Sequence, residues 1–303
     1  MNAPQNGPTD EWFNWLLHER HGDDSDYALV VRDAVARFVD RVLDGARLFP
    51  DMILLDIGTG DGVVGFRAIE RLGKNVRVIF TDISAPLLQH TEALAKQRNT
   101  VEQSTFLQCS ADNLCALADS SVDAVVARAS VAYVADKAAA FREFHRVLKP
   151  GGRMSIAEPI MQDEAFAARA LKKAVEARPG QASDAFLPLL HRWKAAQFPD
   201  TEQACATNPL VNFSERDFLN FARGAGFSEI HLQLAIDVTA PLNRSWDVFL
   251  NSSPHPWAPS LQRILREQYS QEERQLFESV VRPTVESGKN PTVDRIAYLI
   301  AIK

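Results

Sequence analysis

An apolar segment that runs into alternating glycines most constrains how this chain can fold. Residues 52–57 read MILLDI, residues 56–62 read DIGTGDG, and residues 63–72 then show the periodicity of a helix. Alternating glycines let a backbone turn tightly and approach a ligand closely. We therefore predict a strand, a ligand-binding turn and a helix, which together make the first unit of an α/β fold.

The same alternation continues through the first half of the chain. Apolar runs predict strands at residues 52–57, 76–81, 104–108, 122–127 and 153–157, and helical periodicity predicts helices at 27–46, 63–72, 85–98 and 136–148. Continuous apolar strands between helices predict a parallel sheet that is covered on both faces. A ligand should then bind at the carboxyl ends of the strands, beside the first strand.

The remainder of the chain is less regular. Helical spacing recurs at residues 10–21, 163–177 and 271–286, and two further apolar strands are predicted at 229–238 and 294–302. Ser214 and Asp217 have the spacing of a capping box and predict the start of another helix.

Charge and cysteine usage narrow the range of partners. The chain has 33 Lys and Arg against 39 Asp and Glu, a formal net charge of −6. This balance gives no footprint for a polyanion, and no segment reaches the ~20 apolar residues of a membrane span, so we expect neither nucleic acid nor membrane as partner. Cys109, Cys115 and Cys205 have no metal-binding spacing, so we expect no metal site. Their odd number and wide spread argue against a secreted disulfide framework, and residues 1–10 do not resemble a signal sequence, so we expect a cytoplasmic protein.

Two cofactors compete for the glycine turn. Residues 60–65, GDGVVG, match the GxGxxG of nicotinamide and flavin sites, whereas residues 56–62 match the DxGxGxG of an S-adenosylmethionine (SAM) site. Asp56 and Asp61 would stand close to a pyrophosphate, and a like-charge contact at ~4 Å costs about 1 kcal/mol in water and more near a protein interior. SAM carries an ammonium and a sulfonium, so these carboxylates favour SAM.

Acidic residues also follow the second and third predicted strands. Asp82, in FTDIS, lies about 20 residues beyond the glycine turn, where a carboxylate can accept both ribose hydroxyls of either cofactor. Its alternative role is to cap the next helix. Asp112, in CSADNL, can accept from the adenine amino group, although Asp-Asn pairs are also common in turns.

The segments LLDIGTGDG, FTDIS, CSADNL, VDAVVARASVAYV and LKPGGRMSIAEP, in this order, resemble the class I SAM-dependent methyltransferases of small molecules. The resemblance covers roughly residues 50–160, and more loosely 210–240 and the last strand. It implies a Rossmann-like α/β fold, with a mostly parallel seven-stranded sheet flanked by helices, an N-terminal helical lid and C-terminal insertions. It also implies SAM as the cofactor and S-adenosylhomocysteine (SAH) as its product.

The family pattern implies cofactor contacts at the ends of four strands. It places Asp56, Gly58, Thr59 and Gly60 around the methionyl part, Asp82 and Ile83 at the ribose, Ala111, Asp112 and Asn113 around adenine, and Arg128 and Ala129 beside the methionyl end and the methyl group.

The class of methyl acceptor is inferred from a family motif that this sequence lacks. Residues 127–130 read ARAS, where enzymes that methylate base amines carry (Asn/Asp/Ser)-Pro-Pro-(Tyr/Phe), so we expect transfer to an O, N or S atom of a small molecule. We take Trp12, Tyr133, Arg192 and Trp193 as candidate acceptor contacts, and Glu158 and His191 as candidate catalytic residues.

We divide the chain into a helical lid (1–48), a SAM-binding core (49–160), a helical cap over the acceptor site (161–213) and a part that completes the sheet (214–303). The helix with Trp12 either covers the cofactor or packs on the helices of the sheet. A helical insertion at about 239–293 either mediates a homodimer or covers the sheet edge. Two other functions stay open: a nicotinamide-dependent oxidoreductase that uses GDGVVG, and a non-catalytic protein with a SAM fold.

Overall fold

Among the residues that the structure describes, seven strands form one central sheet. The computed structural model describes residues 9–177, 185–239, 245–289 and 291–303. The strands are β1 (Met52–Ile57), β2 (Val76–Asp82), β3 (Ser104–Gln108), β4 (Val122–Arg128), β5 (Leu148–Pro159), β6 (Ser228–Thr239) and β7 (Thr292–Ile302). Their spatial order is β3-β2-β1-β4-β5-β7-β6, and β7 alone among them pairs antiparallel with both neighbours. The predicted mostly parallel, seven-stranded α/β sheet is confirmed.

Twelve α-helices surround this sheet in the described ranges. They are α1 (Glu11–Leu17), α2 (Ser25–Ala46), α3 (Val63–Leu72), α4 (Ala85–Gln97), α5 (Lys137–Val147), α6 (Gln162–Glu176), α7 (Phe186–Gln197), α8 (Glu202–Thr207), α9 (Glu215–Ala225), α10 (Trp246–Asn251), α11 (Leu261–Gln268) and α12 (Gln271–Glu286). The predicted capping box of Ser214 and Asp217 is present at the start of α9. No helix in the part of the chain that the structure describes combines the length and apolarity needed to cross a bilayer.

Successive residues of the parallel strands pack into separate cores on the two faces of the sheet. Leu54 of β1 joins a core that includes α2 and α3, whereas Leu55 joins a core that includes α5 and α9. Side chains of a strand alternate between faces, so an apolar strand such as β1 contributes to both cores.

The order of the strands determines where a ligand can bind. Strand β1 lies between β2 and β4, so the chain leaves β1 towards one edge of the sheet and later returns on its other side. The crossover helices diverge at this point and leave a crevice outside the carboxyl ends of β1 and β4.

Two predicted elements have different bounds in the structure. The predicted helix at 10–21 ends at Leu17, and a separate 3₁₀ turn, Glu19–His21, ends at Gly22 in the left-handed conformation. The predicted strand at 153–157 begins earlier, at Leu148, because Lys-Pro-Gly-Gly is accommodated as an irregularity in the pairing of β4 with β5. Gly151 has a φ of 77° there, which glycine adopts readily.

A third core joins the region 185–197 to the C-terminal helices. Leu189 of α7 packs with Trp246 of α10, Leu261 of α11 and Phe277 of α12. The described part of the predicted insertion is therefore helical and packs against α7.

We expect Gly65→Ala to destabilise the protein by about 1–3 kcal/mol, because it overpacks a core. A Cβ on Gly65 would lie 2.2 Å from Phe80 Cε1, and Phe80 is fully buried between Phe66 and Phe106. Urea unfolding measures the change.

The matched control is Gly224→Ala in α9. A Cβ there meets nothing within 4 Å, so the substitution should be neutral or should stabilise the helix by about 0.5–1 kcal/mol. Equal unfolding free energies for the two alanine variants would contradict this account of the contact between α3 and β2.

Candidate active site

A cavity of about 290 Å³ opens at the carboxyl edge of β1, β2, β3 and β4. The helix α1 and the 3₁₀ turn beyond it close the remaining side. Of the predicted cofactor contacts, those that line the cavity are Asp56, Gly58, Thr59, Gly60, Asp82, Ile83, Ala111, Asp112, Arg128 and Ala129. The structure therefore brings together, at the predicted position, residues that lie far apart in the sequence.

Asp56 holds the glycine turn in shape. Its Oδ2 accepts hydrogen bonds from Thr59 Oγ1 (2.7 Å) and from Gly65 N (3.0 Å). The side chain is almost fully buried, and burial raises the pKa of its carboxyl to about 7. Asp56 thus joins the start of the turn to the first turn of α3.

Asp82 is the second carboxylate of the cavity. It accepts hydrogen bonds from Gly60 N on Oδ2 and from Ser84 N on Oδ1, both at 2.9 Å. Burial raises its pKa. The side chain therefore connects the glycine turn to the start of α4 while it lines the cavity. Ser84 is the residue that caps α4.

The loop after β3 forms the wall beside Asp82. Ser110, Ala111 and Asp112 line the cavity, and Ser110 Oγ donates a hydrogen bond to Asp112. The prediction of Asn113 as a cofactor contact is corrected, because Asn113 does not line the cavity. Its backbone N–H closes the loop onto Ser110 O instead (3.0 Å).

The loop after β4 forms the opposite wall. Ala129 has a φ of 50°, which is uncommon for a residue with a side chain, and its N–H donates to Ala157 O. Ser130 Oγ donates to Ile57 O (2.8 Å), which fixes this loop against the end of β1. A Cβ on Gly58 would lie 2.4 Å from Ser130 Cβ, so the close approach of the two loops requires glycine.

Glu158 lies behind that loop and not in the cavity. Its Oε1 accepts from Ser130 N and Val131 N (both 3.1 Å), and its Oε2 accepts from Ala132 N (3.0 Å). The side chain is fully buried, and burial raises its pKa to about 6. The prediction of Glu158 as a catalytic residue is corrected: both carboxylate oxygens accept hydrogen bonds that position the loop after β4, and Glu158 does not line the cavity.

The helix α1 lies directly over the glycine turn. Trp12, Trp15 and Leu16 line the cavity, and Leu16 Cδ2 is 2.8 Å from where a Cβ on Gly60 would be. Trp12 makes edge contacts with Tyr133 (5.1 Å between ring centroids) and with Trp257 (5.7 Å). Of the two placements considered for this helix, the structure shows the one over the glycine turn, whereas α2 packs on the sheet.

A second cavity of about 470 Å³ adjoins the first. Both volumes are in or near the range of small-molecule sites, about 300–1,000 Å³. The two cavities share a wall, which we call the shared wall and define by Trp15, Arg20, Arg128, Ala129 and Tyr133. A molecule in either cavity would thus face the other across these five residues.

Of the three site residues predicted on helix α7, only Trp193 lines one of the two cavities. Trp193 lines the second cavity, together with Gln197 one turn later. His191 lines neither cavity and pairs with Asp200 (Nε2 to Oδ2, 2.9 Å). Arg192 also lines neither cavity: it pairs with Glu273 (2.6 Å) and stacks on Tyr269. The predicted catalytic role of His191 and acceptor contact of Arg192 are therefore corrected.

Arg20 is a cavity residue that the sequence analysis missed. It lies in the 3₁₀ turn between α1 and α2 and lines both cavities. No motif surrounds it, and its position depends on how α1 folds over the sheet. The cavities thus have carboxylates near the glycine turn and guanidinium groups at the shared wall, an arrangement that can bind a cation at one end and an anion at the other.

We expect Asp56→Asn to change how stability depends on pH. Because burial raises the pKa from an ordinary value of about 3.9 to about 7, the stability associated with the protonated carboxyl is lost as pH rises through this window. Asparagine stays neutral, and its oxygen can accept both hydrogen bonds that Oδ2 accepts. The unfolding free energy of the variant minus that of the wild type should increase between pH 4 and 7, by on the order of 1–4 kcal/mol.

Urea unfolding at several pH values measures this difference. Asp33→Asn is the control, because the Asp33 side chain is 81% exposed. Its difference from the wild type should change little over the same range. A difference for Asp56→Asn that is constant with pH would show that this carboxyl does not titrate as the geometry implies.

Comparison with characterised sequences finds methyltransferases. The chain is 36% identical over 120 residues to nocamycin O-methyltransferase of Saccharothrix syringae, covering 40% of this chain and 42% of that one. It is 29% identical over 119 residues to tRNA 5-carboxymethoxyuridine methyltransferase of Escherichia coli, covering 39% and 44%. The chain thus spans less than half the length of these curated relatives.

Solved structures share the fold over most of the chain. The YcgJ protein of Bacillus subtilis superposes with a TM-score of 0.55 at 16% identity, covering 88% of this chain and 98% of that one. The [4+2]-cyclase SpnF superposes with a TM-score of 0.51 at 18% identity, covering 89% and 82%. At these identities the likeness concerns the fold alone.

A family model that matches a continuous part of the sequence identifies the family of this chain. The sequence model described as a methyltransferase domain matches residues 48–203, which is just over half of the chain and includes every loop that lines the first cavity after β1, β2, β3 and β4. The predicted class I methyltransferase fold is confirmed, and the chain belongs to this methyltransferase domain family.

Proposed function

We propose that this chain transfers a methyl group from SAM to an oxygen, nitrogen or sulfur atom of a small molecule. The observation that carries the proposal is the shared wall between the two cavities. One cavity has the carboxylates and glycines suited to SAM, and the other has room for a second molecule. A methyl group could pass between them over a short path.

The chemistry of the first cavity fits SAM better than a dinucleotide. Asp56 and Asp82 are both buried at its base, and Asp61 also lines it. Arg20 and Arg128 also line this cavity, but the carboxylates lie at the glycine turn and outnumber them. A pyrophosphate at the turn would therefore meet like charge, whereas the ammonium and sulfonium of SAM would meet opposite charge. When bound, SAM supplies an electrophilic methyl group on a sulfonium that leaves as a neutral thioether.

The residues that would hold SAM follow from their places on the cavity wall. Asp82 would accept from the ribose hydroxyls, and the loop of Ala111 and Asp112 would border adenine. The glycine turn and Ala129 would border the methionyl part. These roles rest on the predicted family pattern together with the cavity lining.

The residues of this chain would position the two reactants and exclude water from them. Trp12 and Leu16 of α1 cover the first cavity, and Tyr133 borders both. Holding two reactants in line can provide effective molarities of ~10⁵ M or more in favourable cases. Because Glu158 is occupied by three backbone N–H groups and His191 lies outside both cavities, we infer that neither removes a proton from the acceptor.

A small-molecule acceptor is favoured over RNA. The names of the relatives point both ways, since one is a nocamycin O-methyltransferase and another methylates a tRNA uridine derivative. The second cavity is lined by the aromatic side chains of Trp15, Tyr133, Trp193 and Phe249, which suit a small organic molecule. The chain also carries a net charge of −6, which disfavours a polyanion.

Calorimetric titration with SAM, SAH and NADH tests the proposal. We expect SAM and SAH to bind with micromolar dissociation constants and NADH to give no heat of binding. Asp82→Ala should raise the Kd of SAH at least about tenfold, because it removes a buried acceptor that is worth about 1.5–3 kcal/mol when charged.

The control is Asp33→Asn, which should leave the Kd unchanged, and a thermal melt of each variant verifies that it is folded. Binding of NADH without SAM would favour the oxidoreductase that uses GDGVVG. An unchanged Kd for folded Asp82→Ala would overturn the assignment of Asp82 to the ribose.

A further inference from the structure

Strand β6 is an open edge of the sheet. Among the residues that the structure describes it pairs only with β7, so no strand pairs with the backbone N–H and C=O groups on its other side. Open edges pair readily with strands of another chain, and proteins usually protect them with proline, lysine, a bulge or a covering element. Between His231 and Thr239, β6 has no proline and no lysine, and its pairing with β7 is regular.

One face of this edge carries exposed apolar side chains. We call them the edge patch and define it by Leu234, Ile236 and Val238 of β6 and Val293 of β7, which are 38%, 56%, 65% and 42% exposed. Val238 and Val293 pair across the two strands and so lie on the same face. The described part of the predicted insertion packs against α7 and leaves the edge patch exposed. Contiguous exposed apolar side chains of this kind mark interaction surfaces.

Two polar side chains on the opposite face of β6 have no ion-pair partner in the described ranges. His231 and Asp237 flank Gln233, which accepts a hydrogen bond from Arg41 of α2, but neither of the two is in an ion pair. An imidazole N–H can donate a hydrogen bond to a carboxylate, so the two groups suit each other. Within one copy they are six residues, or ~20 Å, apart along the strand and cannot meet.

The sequence of β6 is complementary to itself when two copies pair antiparallel. A two-fold axis through Leu234 sets Leu234 opposite Leu234 of the second copy, and Leu232 opposite Ile236. The same axis sets His231 opposite Asp237, twice in each pair of strands. Side chains directly opposite each other in an antiparallel pair lie on the same face, with their Cβ atoms about 4.5–5.5 Å apart. Apolar side chains therefore meet apolar ones, and each imidazole meets a carboxylate.

Other registers lose this match. A shift by one residue sets the apolar face of one strand beside the polar face of the other. A shift by two residues in either direction separates His231 from Asp237. Asp237 then lies opposite Glu229, which carries a like charge, or opposite Gln233. Pairing about Leu234 is thus the register that satisfies both faces.

We propose that β6 is an interface between two copies of this chain, which pair antiparallel about a two-fold axis at Leu234 and join their sheets. A second copy is favoured over an unrelated partner because one strand supplies both halves of the apolar and polar match. Contacts in which the same surface patch serves both subunits are typical of homodimers. The predicted homodimer contact is thereby assigned to β6 and not to the insertion at about 239–293. The inference concerns assembly and does not depend on the proposed methyl transfer.

Sedimentation velocity on the full chain over a range of concentrations tests for the dimer and gives its Kd. We expect a dimer at micromolar concentrations. Leu234→Glu should raise the Kd of this dimer at least about tenfold, because like charges directly opposite each other on paired strands are destabilising.

The matched control is Leu276→Glu on α12, because Leu276 is 36% exposed against 38% for Leu234 and lies outside β6. Its Kd should equal that of the wild type. Thermal melts verify that the variants are folded. Ile236→Glu changes a more exposed position of the edge patch and should weaken the dimer in the same way.

An exchange of side chains tests the contact between His231 and Asp237. His231→Asp should weaken the dimer several-fold, because it sets two carboxylates opposite each other. The double variant His231→Asp/Asp237→His restores the pair in the opposite sense and should return the Kd towards the wild-type value. A loss of stability within one copy would not be reversed by the second substitution.

Oxidative cross-linking tests the register. The background is Cys115→Ser, which removes an exposed native thiol. Leu234→Cys should form a disulfide-linked dimer, because the two copies of residue 234 lie directly opposite each other. Ile236→Cys should not, because the two copies of residue 236 are four residues, or ~13 Å, apart along the strands, which is too far for a disulfide.

Three results would overturn the inference: the chain is a monomer at every concentration, the dimer is unaffected by Leu234→Glu and Ile236→Glu, or Ile236→Cys cross-links as readily as Leu234→Cys. The second result would place the interface on another surface, such as the helical insertion. The third would exclude a two-fold axis at Leu234.

Discussion

The geometry of the site depends on one buried carboxylate. Glu158 on β5 accepts three backbone hydrogen bonds from the loop after β4, and so attaches that loop to the sheet. A buried carboxyl is tolerated when its oxygens are hydrogen-bonded. The attached loop then supplies Ala129, Ser130 and Tyr133, which border the first cavity, and two of them also border the second. Glu158 therefore holds the part of the shared wall that comes from this loop, together with the hydrogen bond from Ser130 Oγ to Ile57 O.

Charge is distributed unevenly along the two cavities. Asp56 and Asp82 lie at the base of the first, where a cationic cofactor would be stabilised, and Arg20 and Arg128 lie at the shared wall. Electrostatic interactions are stronger in such enclosed sites than in water. The carboxylates at the glycine turn thus support a cationic cofactor in the first cavity.

The fold and the first cavity could be predicted because their signals are local. The glycine turn, Asp82 and Asp112 each follow an apolar strand, and parallel strands bring their carboxyl ends to one edge. The second cavity could not be predicted, because it depends on how α1, α7 and α10 pack together. Successive helical residues point about 100° apart, so Trp193 faces the cavity while His191 and Arg192 do not. Glu158 has the predicted place at a strand end, but its side chain is turned to backbone amides that no sequence pattern reveals.

A crystal structure of the chain with bound SAH tests the account most directly. We expect the adenosine beside Asp82 and the thioether sulfur at the shared wall, with the second cavity open to it. SAH bound with its sulfur turned away from Arg128 and Tyr133, or bound outside the first cavity, would contradict the claim that the two cavities form one transfer site.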